Sequence, residues 1–134
     1  MKINFYTKSC VIFLLTLFSS CAIKQGDIIK TKSGTYQMDR KKLSNLKQSV
    51  IYGTIYDYDT REPTNTPAVQ VNDKKIYRGN NNGVFKFSVE PGKYRFTGKA
   101  YPYIFVETKA ITVNRGDSIK INFYLKPYTK PMID

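Results

Sequence analysis

Residues 119–126 alternate without a lapse, with Ile119, Ile121, Phe123 and Leu125 on one side and Lys120, Asn122, Tyr124 and Lys126 on the other. A period of two is the β-strand repeat, so one row enters a core and the other meets solvent. Shorter runs of the same kind precede it at 50–56, 68–71, 75–77, 84–89, 93–99 and 104–113. Turn residues separate them: Asn72-Asp73, Asn80-Asn81-Asn82-Gly83, Glu90-Pro91-Gly92 and Asn114-Arg115-Gly116-Asp117. Several strands at spacings near ten residues predict a β-sandwich or small barrel. Each large apolar side chain buried contributes about 1.5–3 kcal/mol before chain entropy is counted. The stretch from Ser49 to Pro127 can therefore sustain one core without disulfides. Pro91 presets one φ and Gly92 permits a positive one, which predicts a tight reversal there. Tyr94 should be half-buried with its hydroxyl on a polar partner.

The start of the chain reads as an address. Lys2 and Lys8 give a positive beginning, Val11 to Phe18 is a short apolar run, and Ser19-Ser20-Cys21 follows. That order is a secretory signal, and the run is far shorter than the ~20 residues of a membrane-spanning helix. Cys10 leaves with the signal, so Cys21 is the single cysteine of the mature chain and has no internal disulfide partner. Leu17-Phe18-Ser19-Ser20-Cys21 resembles the lipobox of bacterial lipoproteins. The resemblance implies cleavage between Ser20 and Cys21 and acylation of Cys21, giving a membrane attachment through the N-terminal lipid. An ordinary secretory signal with an incidental cysteine is the alternative. Residues 1–20 thus read as the signal. Ala22, in place of aspartate, resembles the sorting pattern that sends enteric-type lipoproteins to the outer membrane, and no acidic cluster follows Cys21, which favours the periplasmic face; a Gram-positive cell membrane is the alternative.

From Ala22 to Gln48 the chain carries seven basic residues against Asp27 and Asp39, a net +5. Apolar residues are sparse, so 21–48 reads as a lipidated N-terminus and flexible basic tether, with a helical turn or two suggested by Leu43, Leu46 and Val50. Such a stretch beside a lipid anchor would be drawn to anionic head groups, or would serve as a plain soluble spacer. Residues 128–134 read as a short C-terminal tail.

The order of features from Ser49 to Pro127 resembles the carboxypeptidase regulatory-like module of the transthyretin-like (prealbumin-like) superfamily. The matching pieces are Gly53 in the opening strand, the Asp57–Pro67 loop, Ala68-Val69-Gln70-Val71, the stretch "NGVFKFSVEPGKY" and the closing alternating strand. This resemblance implies an all-β, Greek-key sandwich of about seven strands, of transthyretin-like or Ig-like type, and a non-catalytic accessory role on an envelope protein. Asn82 stands where the family usually has an acidic residue, and Ala100-Tyr101-Pro102-Tyr103 replaces its customary Gly-Tyr.

The chain has no histidine, which removes Ser-His-Asp, Cys-His and imidazole–zinc chemistry. Asp57, Asp59 and Glu62 have carboxylates suited to calcium but no recognised loop spacing, so a solvated acidic turn is the reading, with no metal and no cofactor. The mature chain is +10 and interleaves Tyr with Lys and Arg, as single-strand nucleic-acid platforms do, but an exported protein meets little nucleic acid. What remains is a non-enzyme: a structural or protein-interaction module with an envelope partner. The alternative is a glycan-binding module. For the latter the candidate surface is Tyr56, Tyr58, Tyr101 and Tyr103, rigid amphipathic rings suited to sugars or proteins.

Overall fold

The structure, a computed structural model, describes residues 26–43 and 47–128. Among the described residues eleven strands run in chain order. They are β1 (Asp27–Thr31), β2 (Gly34–Lys42), β3 (Ser49–Asp57), β4 (Ala68–Val71), β5 (Lys75–Arg78) and β6 (Val84–Val89). Then come β7 (Gly92–Tyr94), β8 (Phe96–Lys99), β9 (Val106–Glu107), β10 (Ile111–Val113) and β11 (Asp117–Leu125). One sheet has the order β1-β2-β11-β3-β6, a second β5-β4-β8-β9, and β10-β7 forms a small third. The chain passes from one large sheet to the other after β3, β5 and β6 and returns to the first at β11, the between-sheet crossing of a Greek key. The molecule is an all-β sandwich.

The alternating residues fill the space between the sheets. Ile119, Ile121, Phe123 and Leu125 are fully buried with Ile51 and Ile55 from one layer, against Val69 and Phe96 from the other. The Phe123 ring lies 6.1 Å from Phe85 and 6.4 Å from Tyr36, tilted to them by 47° and 42°, within the range of ring separations at which aromatic pairs attract. Gly53 sits where β3 passes closest to β11: a Cβ there would land 1.8 Å from the Ile121 carbonyl oxygen. The backbone ladder opens at that point, and the Thr54 amide donates instead to Asn122 Oδ1 at 3.1 Å.

The seven expected runs become eleven strands for two physical reasons. Two runs are each split, because Thr108 enters the ladder between them. Its hydroxyl accepts the Phe96 amide at 3.1 Å while its own amide donates to the Phe96 carbonyl at 2.9 Å. Residues 93–99 thus divide into β7 and β8, and 104–113 into β9 and β10. The other two strands correct the expectation of a flexible tether over 21–48. Residues 27–42 form a hairpin whose second strand pairs along the whole of β11. The hairpin turn depends on Gly34, at φ +150°, where a Cβ would strike the Tyr124 carbonyl. Val50 belongs to β3, and the Leu43 amide donates to the Gly116 carbonyl at 2.9 Å, so the suggested helical turn is not formed at either described residue.

Gly92 opens β7 and is not among the residues with positive φ, so the Pro91-Gly92 reversal takes a different form from the one expected. Tyr94 is half-buried and its hydroxyl donates to the Glu90 carbonyl at 2.6 Å, which is the role expected of it. Ser20, Cys21 and residues 129–134 lie outside the described residues.

Candidate functional site

The functional features gather at the end of the sandwich where β3 and β11 finish. Asp57 closes β3 and organises the loop after it. Its Oδ1 accepts the amides of Asp59 and Thr60 at 2.7 and 2.9 Å, and its carbonyl accepts the Arg61 amide at 2.9 Å. Its Oδ2 accepts the Tyr103 hydroxyl at 2.8 Å. The Thr60 amide does most to hold the Asp57 carboxyl below its ordinary 3.8, against an opposing push from burial and with further help from Tyr103 and the Asp59 amide. Burial and the bond to Asp57 push the Tyr103 hydroxyl up to about 12. These oxygens are engaged in hydrogen bonds, as a turn-forming aspartate's are.

Tyr103 belongs to the loop between β8 and β9, and that loop is strapped to the chain after β11. The Ile104 amide donates to the Lys126 carbonyl at 3.0 Å, and the Tyr128 amide to the Pro102 carbonyl at 3.0 Å. A bridge between Tyr103 and Pro127 completes the strap. Beside it, on the outer face of β4, β5 and β8, lies an open groove of about 660 Å³. Tyr101, Tyr103, Phe105 and Tyr128 give it aromatic walls, Ile76 and Ala68 part of its apolar floor, and Arg78 and Lys99 its cations. Tyr101 is 88% exposed and Tyr128 60%, far more than rings that merely close a core. Lys99 Nζ stands 4.5 Å from the centre of the Phe105 ring, so one cation already braces one wall. Among the described residues no carboxylate lines the groove.

The four tyrosines expected to form one surface divide into two places. Tyr101 and Tyr103 line the groove. Tyr56 points to the outer face of the five-stranded sheet and stacks on Tyr124 at 5.1 Å and 14°. Tyr58 is covered by cations: the Arg61 guanidinium lies 5.1 Å from its ring and 4.7 Å from Tyr124, and Lys126 Nζ lies 5.1 Å from Tyr58. Those rings are already occupied by partners within the chain. The groove instead recruits Phe105, Tyr128, Ile76, Arg78 and Lys99, which sequence reasoning did not gather. One signal was present. In Lys75-Ile76-Tyr77-Arg78, period two puts Ile76 and Arg78 on one side, and an isoleucine on the outward side of a short edge strand is unusual.

No protein-family model matches the chain, and no curated protein matches it. Among solved structures, it is similar to a "putative carbohydrate binding protein" from Bacteroides uniformis, with 21% identity and a TM-score of 0.47. The likeness covers 60% of this chain, and the chain spans 42% of the length of that one.

Proposed function

We propose that this chain is a non-catalytic binding module of the bacterial envelope, attached through acylated Cys21, which takes an oligosaccharide in the groove beside Tyr101 and Tyr103. The observation carrying this reading is the exposure of several rings around one concavity, with Tyr101 at 88%. A sugar presents C–H faces that lie on aromatic rings and hydroxyls that accept hydrogen bonds from donors at the rim. The groove supplies both kinds of group, rings from Tyr101, Phe105 and Tyr128 and donors from Arg78, Lys99 and Thr66. Its openness along the sheet suits a chain segment rather than a closed monosaccharide site. Tyr103 is the positioned member: its bond to Asp57 fixes the ring at the groove wall before any ligand arrives.

The test is titration calorimetry of the purified protein against a panel of neutral and acidic oligosaccharides. Tyr101→Ala should leave the melting temperature unchanged, because the ring is exposed, and weaken binding by at least about 1 kcal/mol. A panel that gives no binding, or binding indifferent to Tyr101, overturns the glycan reading. Crosslinking from native membranes to one envelope protein through Tyr101 would replace it with a protein-interaction role.

A further inference from the structure

The end of the sandwich opposite the groove collects positive charge from parts of the chain that are far apart in sequence. Lys41 and Lys42 end β2, Lys47 precedes β3, Lys74 lies in the β4–β5 turn, Lys93 is in β7 and Arg115 is in the β10–β11 turn. All six are exposed. The fold brings them to one tip. Leu43 bonds to Gly116, Ser49 pairs with Val89, Val113 pairs with Gly92, and the Asn72 side chain accepts the Arg95 amide at 2.8 Å. The exposed acids there are Asp73 and Glu90, while Asp117 is buried against Arg40 at 3.4 Å. Asp27 and Asp39 lie further back, at the level of Met38 and Lys120.

The start of β1 faces the same tip. β1 runs antiparallel to β2, so Asp27 is the end of β1 nearer to the end of β2. Gly26 already lies against Asp39, and its carbonyl accepts the Gln37 side chain at 3.2 Å. From Asp39 to Lys42 is three residues, about 10 Å of strand. From Gly26 back to Cys21 is five residues, at most about 17 Å. That length is enough to allow an anchor at Cys21 while the basic tip meets a membrane.

We infer that this tip, formed by Lys41, Lys42, Lys47, Lys74, Lys93 and Arg115, docks on an anionic phospholipid surface and holds the sandwich upright with the aromatic groove facing away from the membrane. The orientation rests on the reading of Cys21 as the acylated residue. The charge complementarity does not, because the tip is built by the folded body alone. Each basic side chain near an anionic leaflet adds its own increment of attraction, and the whole is screened by salt.

The experiment uses the native lipidated protein in vesicles with a headgroup-attached quencher. With Cys21 acylated and Cys10 removed, Asn114→Cys or Asn65→Cys supplies the single labelled thiol, one at the tip and one in the loop bordering the groove. In phosphatidylglycerol vesicles the Asn114 label should be quenched roughly five-fold more than the Asn65 label. The difference should collapse in phosphatidylcholine, in about 0.5 M NaCl, and in the triple variant Lys42→Glu, Lys93→Glu, Arg115→Glu. Equal quenching of the two labels in phosphatidylglycerol, or a difference indifferent to salt, overturns the docking. Intact mass separates the two ideas. If residue 21 is unmodified, the anchor reading fails, and docking is then scored by sedimentation of the unlipidated protein with phosphatidylglycerol vesicles. Binding that the triple variant weakens by at least about 100-fold supports the tip, and absence of sedimentation overturns it.

Discussion

The two ends of this sandwich share one core and differ in how their side chains are held. At the groove end one ring is held by its own bond, Tyr103 to Asp57, and backbone bonds from Ile104 to Lys126 and from Tyr128 to Pro102 strap the loop that carries it. At the basic tip, exposed lysines surround a single buried carboxylate, Asp117, which accepts the Asn114 amide at 2.8 Å and faces Arg40. The contrast separates two kinds of recognition. A groove that reads the shape of a ligand needs its walls preorganised, whereas a surface that reads summed charge needs only that like charges be brought together and left hydrated.

Breaking what the ends share should have the largest effect. Gly53→Ala places a methyl group against the Ile121 carbonyl, a backbone atom that cannot move without shifting β11. A destabilisation of about 3 kcal/mol is expected, read as a lower denaturant midpoint with vesicle association and groove binding lost together. A variant as stable as the parent would mean that β3 and β11 do not approach this closely at Gly53.

Asp117→Ala should separate the ends. It leaves the Asn114 amide without its acceptor and Arg40 without its partner, in a turn where Asp117 is 2% exposed. Arg40 is partly in solvent and recovers some hydration, so about 2 kcal/mol is the expected loss of stability. Amide exchange should quicken in 114–117 and at Leu43, and the groove should keep its affinity. Equal loosening at the Asp57 loop would show that the ends are not independent.

The parts legible in the sequence were those where burial alone decides. Ile119 to Leu125 could adopt one arrangement, because period two and a one-sided apolar row leave a single face to bury. The hairpin over Asp27–Lys42 was hidden because Arg40, Lys41 and Lys42 end a strand whose inward residues, Tyr36 and Met38, are too few to stand out from the charge around them. Its Ser33-Gly34 step was the available signal. The split at Thr108 was illegible for another reason: a threonine hydroxyl replacing a ladder partner leaves no mark on the hydrophobic pattern. The groove was half-legible. Exposed tyrosines beside Pro102 announced it, but the engagement of Tyr56 and Tyr58 by Tyr124, Arg61 and Lys126 on the outer face of the other sheet depends on contacts across strands that no local pattern encodes.

The smallest effect tests whether the groove wall is set before a ligand binds. Tyr103 keeps its proton in the fold up to about pH 12 against an ordinary 10, so the folded state favours the neutral phenol. That contribution is complete below pH 10 and is lost as pH climbs through about 12. Asp57 runs the other way. Its folded carboxyl titrates below 3.8, so its contribution is complete above that value and fades as pH falls through the lowered one. Tyr103→Phe keeps the ring and removes the bond, at a cost of about 1 kcal/mol or less near neutrality. It should flatten the fall in melting temperature between pH 10 and 12, and leave most of the acid limb, because the Thr60 amide still holds Asp57. Ligand affinity should weaken with the loosened wall while Tyr101 stays in place. If the alkaline limb is the same in parent and variant, the hydroxyl is not what ties the loop to Asp57, and the contrast between a preorganised groove and a merely charged tip loses its basis.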